Sequence, residues 1–321
     1  MLKVLDPITF PDSKVTAYSL TTDEYPTWVA TSAYNQYATV AYIGRAWKAA
    51  QYIPPNSAAP GNSQNWVDVG PLNRWAMFDG RVSTRTKGGT ETFSVTLAPG
   101  RCNGIALLDM VNVTTLTITA SYPQTSTQTS DTTAEYAYGI TLRTRVLSSQ
   151  VQLIYTVNLE NRANVSDWKS FFVEPYQIAT DTFVELPSRS DMTIKIETTD
   201  DNIEIGSLII GNFIELGDVG YGVSAGIEDY SNIITDDFGI STLVQRDYVR
   251  RVSYPLTVPN YGIRRAYSTL AALRAKPAVF IGSDDYRYTP FTVYGIVENF
   301  DLALSFATYS VINVDVRGIQ T

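Results

Sequence analysis

The sequence contains no histidine and a single cysteine, Cys102, among its 321 residues. Histidine is the commonest general base and transition-metal ligand, so its absence removes the Ser-His and Cys-His nucleophile systems and leaves only carboxylates for a zinc site. A single cysteine cannot form an intrachain disulfide. We therefore predict no catalytic residue, no metal and no cofactor, and we predict that the chain is not an enzyme.

Long apolar runs and excess positive charge are also missing. No apolar stretch approaches the length of about 18 residues that a membrane span needs, and the N-terminus lacks the apolar core of a secretory signal. The net charge is −8, which does not suit neutralisation of phosphates, so nucleic acid is not an expected partner. We expect a chain that is made in a cytoplasm and leaves it by another route, such as lysis.

The pattern that dominates the sequence is alternation of apolar and polar residues. A period of two predicts half-buried strands, and the Gly, Pro, Asn and Asp residues between them predict turns. This indicates a mainly β chain of antiparallel sandwiches, jelly rolls or barrels. The clearest alternating segments are residues 91–97, 115–120, 151–157, 192–197 and 310–316.

One helix is predicted, at about 261–275. It starts after Pro259 and must stop before Pro277, and its apolar stripe contains Ile263, Ala266, Leu270 and Leu273. A long hairpin through 227–258 precedes it, and two closing strands follow it. The hairpin is too long for one short helix to cover, so we predict that its apolar residues are exposed and that 216–321 is the assembly platform. These residues are Ile233, Ile234, Leu243 and Val244.

Loop composition suggests how the chain is divided. Residues 54–64 and the Thr/Ser-rich tract 123–133 are predicted to be exposed loops, and the Gly-rich stretch 215–226 is predicted to join two domains. We predict an N-terminal segment (1–26), a small module (27–70), a jelly-roll β-sandwich (71–215) and a C-terminal β domain with one helix (216–321).

The order of aromatic residues in 28–70 is specific. Trp28 and Tyr34 precede "VAYIGRAWKAAQY", and Trp66 and Gly70 close the run. This order resembles the chitin-binding type 3 module, in which exposed aromatics after an aromatic-x-Ala step stack on sugar rings. The positions directly after the aromatic-x-Ala step of this chain hold Ala50 and Gln51, and Tyr52 follows them. The resemblance implies Trp47, Tyr52 and Trp75 as candidate glycan contacts; the alternative is that the aromatics form a small core.

The densest aromatic run follows directly. "GPLNRWAMFDGRVSTRT" (70–86) resembles the start of galactose-binding-like jelly rolls, in which an Asp-Gly turn precedes a strand. Trp66 would then end one module while Trp75 and Phe78 begin the next. We interpret Trp66, Trp75 and Phe78 as a module seam, with a sugar-binding platform and an active site as the alternatives.

The same modular order resembles a family of tailed-bacteriophage tail proteins over most of the chain. The resemblance implies a virion structural protein of the tail tip or baseplate, made in the host cytoplasm. The implied partners are other phage tail proteins and further copies of the chain, in a three-fold or six-fold ring. The alternatives are a receptor-recognising protein that binds host surface glycan and a glycan-degrading tail enzyme. The cues are "WVDVGPLNRWAMFDG" and residues 227–260, 273–285 and 293–300. The C-terminal order of long hairpin, helix and closing strands is also similar to the tube-like domains that build rings in phage tails, which implies a tail-tube-like β domain at 216–321.

Charged residues suggest two further features. Arg246, Arg250 and Arg251 form a cation strip, interpreted as an assembly surface that pairs with acidic neighbours on another subunit. Three pairs of adjacent aspartates could serve a glycosidase or a calcium ion, but their settings are typical of turns. The pairs are Asp200–Asp201, Asp236–Asp237 and Asp284–Asp285.

Overall fold

The structure is a computed structural model that describes residues 1–9, 12–20, 23–90, 92–125, 129–136, 140–159, 180–235, 241–283 and 290–319. The first eleven strands are β1 (Leu2–Pro7), β2 (Val15–Tyr18), β3 (Thr39–Tyr42), β4 (Arg45–Ala49), β5 (Trp66–Pro71), β6 (Thr86–Lys87), β7 (Phe93–Leu97), β8 (Cys102–Val111), β9 (Thr115–Pro123), β10 (Ser130–Tyr136) and β11 (Ile140–Val146). The remaining strands are β12 (Gln150–Asn158), β13 (Thr182–Arg189), β14 (Thr193–Thr198), β15 (Glu204–Val219), β16 (Ser224–Asp229), β17 (Asn232–Thr235), β18 (Ser241–Val244), β19 (Tyr248–Pro259), β20 (Ala278–Ile281), β21 (Thr292–Ala303) and β22 (Tyr309–Gly318). The helices are α1 (Asn73–Ala76) and α2 (Ile263–Ala272), and 3₁₀ turns lie at Asp12–Lys14 and Asn260–Gly262.

The prediction of a mainly β fold with antiparallel sheets and one C-terminal helix is confirmed. The paired strands of all four sheets run antiparallel, and α2 is the one helix longer than about a turn in the described ranges. A strand occupies most of each of the five segments with the clearest alternation, and the apolar faces of these strands supply much of the core.

The first half of the chain forms a β-sandwich. One sheet has the order β10-β11-β12-β9-β14-β7-β2, and it faces the β13-β8-β15 part of a ten-stranded sheet. Alternate residues of both sheets meet in one large core, which includes Phe93, Leu97, Ile118 and Ile196, all nearly inaccessible to solvent. The core also holds Cys102, where burial raises the pKa of the thiol to about 11.

The C-terminal half closes into a six-stranded barrel. Its strands follow the order β15-β1-β20-β21-β22-β19, and the ring closes because Asp218 and Val219 of β15 pair with β19. Ala266, Leu270 and Leu273 of α2 lie in the same core as the inward-facing residues of the barrel. The N-terminal strand β1 is thus an integral strand of the barrel, between β15 and β20.

The sandwich and the barrel share a strand. β15 belongs to both and runs across the predicted boundary at 215/216, so sheet hydrogen bonding continues from one part into the other. Gly211 lies in β15 where it passes β1, and a Cβ there would meet the carbonyl oxygen of Asp6 at 2.1 Å. The close approach explains why a glycine is needed at this point of the shared strand.

Two loop predictions were wrong. The tract 123–133 contains the start of β10, whose exposed polar residues are held by pairing with β11 rather than by burial. The stretch 215–226 is no linker: it holds the end of β15, a turn and the start of β16, all part of the same sheet. How many independently folding domains the chain has stays a prediction.

The small N-terminal module has its own three-stranded sheet, β3-β4-β5. Val40, Ala49, Ile53 and Trp66 are buried in its core, and Trp28, Tyr34 and Trp47 pack against them. The aromatics thus fill the interior of a module that has no disulfide to stabilise it.

Candidate functional site

The most unusual feature of the surface is a hairpin arm made of β17 and β18. The two strands form their own sheet, which within the described ranges is not joined to the ten-stranded sheet. The arm extends the β16–β19 hairpin: the N–H of Tyr230 donates to the carbonyl of Asp247 at 3.2 Å, and the Ser231 hydroxyl accepts from the N–H of Arg246 at 3.0 Å. It therefore projects beyond the end of the barrel at which β19 begins.

Both faces of the arm expose aliphatic side chains. Ile233 and Leu243 are cross-strand partners and are 65% and 68% exposed, while Ile234, on the opposite face, is 53% exposed. Val244 is half-buried. A two-stranded hairpin is at best marginally stable alone. Since the described part of the chain leaves aliphatic side chains exposed on both faces of this arm, the arm is a strong candidate for a contact surface.

Two of the three arginines of the predicted cation strip interact with acidic residues of their own chain. Arg251 forms an ion pair with Glu298 of the same chain, and Arg250 is partly buried near Asp181. Arg246 is exposed at the base of the arm. Arg250 and Arg251 thus take part in intramolecular electrostatics, and the assembly role of the strip stays a prediction.

Arg250 lies at a polar cleft of about 290 Å³ between the sandwich and the barrel. On the sandwich side, Arg85 donates to Asp109 at 2.7 Å, and Asp109 has a φ of +54° in the middle of β8. The backbone N–H of Asp109 donates to the carboxylate of Asp181 at 2.9 Å instead of pairing with a neighbouring strand. Burial raises the pKa of Asp181, partly offset by this hydrogen bond and by Arg250.

The barrel side of the cleft is tied to the sandwich as well. The Tyr294 hydroxyl donates to the carbonyl of Gly80 at 3.1 Å, and burial, followed by the nearby Asp79 carboxylate, raises its pKa. Because the Tyr294–Gly80 bond crosses the junction and the charge of Arg250 on β19 acts on Asp181 of the sandwich, we interpret the cleft as a strut between the two halves. Sequence reasoning missed it, since Arg85, Asp109 and Asp181 are far apart in the chain and no short motif joins them.

Two of the three aromatics of the predicted module seam lie where the small module meets the sandwich. Trp66 is only 5% exposed, but it lies in the core of the small module itself. Trp75, on α1, packs on a cluster that includes Ala41 and Ala46 of the small module, and its ring lies 5.9 Å from that of Phe78. Phe78 in turn packs against the sandwich core, so Trp75 and Phe78 span the joint.

Asn73 and Arg74 reinforce this joint. The Asn73 side chain donates to the carbonyl of Lys87 at 2.8 Å and accepts from its N–H at 2.7 Å, which holds α1 against β6. Arg74 pairs with Asp23 at 2.8 Å.

The candidate glycan contacts are not brought together. Trp47 is partly buried and its indole N–H donates to the carbonyl of Tyr42 at 3.3 Å, while Trp75 lies at the joint. Tyr52 is exposed, and so is Tyr37, a residue that sequence reasoning missed because no periodic pattern marks its turn. The Lys48 ammonium lies 5.2 Å from the centre of the Tyr37 ring.

The aspartate pair at 200–201 occupies a turn. The Asp200 carboxylate accepts hydrogen bonds from the N–H and hydroxyl of Thr114, the N–H of Thr115 and the hydroxyl of Thr198. Asp201 is exposed. The other two pairs, Asp236–Asp237 and Asp284–Asp285, lie outside the described residues.

The described residues contain neither a candidate metal site nor a candidate membrane-spanning helix. In the described ranges, no group of three or more acidic or cysteine side chains is placed to hold a metal ion. Among the same residues, no helix has the length and apolar character needed to cross a membrane.

The comparisons give no relative from which a function could be transferred. No protein-family model, curated protein or solved structure matched the chain. The features of the molecule that bear on its function are the hairpin arm, the cleft and the small module.

Proposed function

We propose that the chain is a structural component of a bacteriophage tail tip or baseplate, made in the host cytoplasm and incorporated into the virion. In this proposal it is not an enzyme. It assembles as a ring with further copies and with other tail proteins, and it presents the small module outward. The observation that carries the proposal is the hairpin arm, which exposes Ile233, Ile234 and Leu243 on two faces.

An uncovered arm of this kind favours an assembling protein over a monomeric one. Exposed strand edges and aliphatic side chains promote association, and monomers usually blunt them with charge, bulges or a covering loop. The closed barrel with one helix and a projecting hairpin also fits the tube-like C-terminal layout that the sequence resemblance implies.

The experiment compares the full chain with an arm-less variant. Because Tyr230 and Asp247 are already hydrogen-bonded, residues 231–246 can be replaced by an Asn-Gly turn that closes the hairpin at that pair. We expect light scattering to give a multiple of 35.5 kDa for the full chain and a monomer for the variant. A full chain that stays monomeric at every concentration, or a variant of unchanged mass, would contradict the proposal.

A second function, recognition of host surface glycan, is favoured by one observation. Tyr37 and Tyr52 are both exposed on the small module, and the backbone bonds Tyr37–Ala49 and Tyr34–Ile53 place their segments side by side. A ring stacked on a sugar contributes about 1 kcal/mol, so two tyrosines support weak binding at most. Calorimetric titration with chitin oligosaccharides, comparing the chain with a Tyr37→Ala/Tyr52→Ala variant, tests this function.

A further inference from the structure

A second exposed apolar surface lies at the other end of the barrel. We define the helix-end patch as Tyr261, Leu304 and Phe306. Tyr261 is 93% exposed and Leu304 is 78% exposed, and Phe306 is also exposed. The patch is held together by Asn260, whose side-chain amide donates to the carbonyls of Phe306 and Ala307 at 3.1 and 2.8 Å.

The arm and the helix-end patch lie at opposite ends of one strand. β19 begins at Tyr248, next to the base of the arm, and ends at Pro259, which pairs with Tyr309 beside the patch. Twelve residues of strand separate the two ends by about 36 Å. The arm points away from the patch, so a single copy cannot cover one surface with the other.

The two surfaces carry opposite charge. Among the described residues of the segment 227–247, which contains the arm, Glu228, Asp229 and Asp247 are acidic and Arg246 is basic, and Glu228 pairs with Arg317 of its own chain. The segment 260–275, which contains Tyr261 and α2, has three arginines and no acidic residue. All three arginines, Arg264, Arg265 and Arg274, are exposed, and none forms an ion pair with another described residue.

We propose that the arm of one copy seats on the helix-end patch of a second copy of the same chain. Aliphatic side chains of the arm then cover Tyr261, Leu304 and Phe306, and the acidic segment lies against the three arginines of α2 and its end. This inference rests on the proposed self-assembly and names its contact. Since the two surfaces differ, the contact is heterologous, and its repetition closes a ring or extends a stack.

This contact replaces the predicted one, in which Arg246, Arg250 and Arg251 set the register. Arg251 is paired within its own chain and Arg250 lies in the cleft, whereas Arg264, Arg265 and Arg274 are exposed.

The test uses three matched double variants of the full chain. The arm variant is Ile233→Ser/Leu243→Ser, the patch variant is Tyr261→Ser/Leu304→Ser, and the control is Val67→Ser/Val69→Ser on β5 of the small module. All six side chains are more than half exposed, so none of the variants removes a core contact. Circular dichroism checks the fold, and light scattering over a concentration series gives the mass.

We expect the control to assemble like the unmodified chain, and each of the other two variants to associate at least about tenfold more weakly, a change equivalent to the loss of about 1.4 kcal/mol. An equimolar mixture of the arm and patch variants should form a one-to-one dimer and nothing larger, because one intact contact remains. Association of the unmodified chain should also weaken when salt rises from about 0.1 to 1 M, since the Debye length falls from about 10 to 3 Å.

Other outcomes separate this inference from the proposed function. If the arm variant is monomeric while the patch variant assembles normally, the arm contacts something other than the patch, and the inference is wrong although self-assembly stands. If the unmodified chain is monomeric at every concentration, both fail. If the mixture grows beyond a dimer, the contact is not heterologous.

Discussion

Replacing Asp200 by alanine should destabilise the sandwich, whereas replacing its neighbour Asp201 should not. Asp200 receives four hydrogen bonds, three of which tie the turn before β15 to the start of β9, and the shortest joins its carboxylate to the Thr114 N–H at 2.6 Å. Asp201 is exposed in the same turn. The two changes are chemically identical, so their difference isolates the hydrogen bonds.

The size of the effect follows from the groups that lose a partner. Asp200→Ala leaves the N–H groups of Thr114 and Thr115 without their acceptor, but the site is only partly buried and water can reach it. Loss of hydrogen bonds to a charged acceptor then costs about 2 kcal/mol in the free energy of unfolding. Asp201→Ala should change it by less than about 0.5 kcal/mol.

The pH dependence gives an independent check. Burial alone would raise the pKa of Asp200, but the N–H groups of Thr114 and Thr115, with hydroxyls of Thr114 and Thr198, hold it below its ordinary value. A carboxylate with a lowered pKa in the folded state stabilises the protein at neutral pH. That contribution is lost as the pH falls below about 4 and passes through the folded-state pKa.

Urea unfolding of the unmodified chain and the two variants at pH 7 and pH 3 measures both effects. We expect the stability gap between the unmodified chain and Asp200→Ala to shrink at pH 3. Equal stability of the two variants at pH 7, or a gap that is as large at pH 3, would refute the assignment of Asp200 to a structural turn.

Three further predictions concern the core, the shared strand and the small module. Trp66→Ala should cost about 3–5 kcal/mol and the half-buried Trp75→Ala about 2 kcal/mol, measured by urea denaturation; equal costs would contradict the burial of Trp66. Gly211→Ala should cost about 2 kcal/mol because its Cβ would strike β1, whereas Gly226→Ala, with no atom within 4 Å of that Cβ, should be close to neutral. Chitin oligosaccharides should bind with a dissociation constant above about 100 μM, and tighter binding by calorimetry would show that Tyr52 belongs to a real sugar platform.

Local patterns in the sequence predict much of the fold but not the way its parts are joined. Alternation at 93–97 and 115–120 predicts strands because the polarity of each residue matches the buried or exposed face on which it lies. The helix α2 is predicted by its apolar stripe between two prolines. Closure of the barrel depends on pairing between β1 and residues more than two hundred positions later. No local period encodes such a pairing, so β1 was predicted only as part of an N-terminal segment.

In the candidate site, too, local features could be predicted from the sequence and contacts between distant residues could not. The exposed aliphatic residues of the arm could be predicted, because the hairpin is too long for one helix to cover. The roles of individual arginines could not, since Glu298 lies nearly fifty residues from Arg251 in sequence and pairs with it only because β19 and β21 both flank β22.

The shared strand gives the proposed assembly a geometric consequence. β15 has sixteen residues, about 50 Å of continuous strand, and it pairs with β8 in the sandwich and with β1 and β19 in the barrel. The Tyr294–Gly80 bond, with the attraction between Arg250 and Asp181 at the cleft, adds a second tie between the two halves. A joint made of sheet hydrogen bonds and a polar strut resists bending more than a flexible linker does. Contacts at the ends of the barrel should therefore fix the direction of the sandwich in every copy, and with it the side of the assembly on which the small module is displayed.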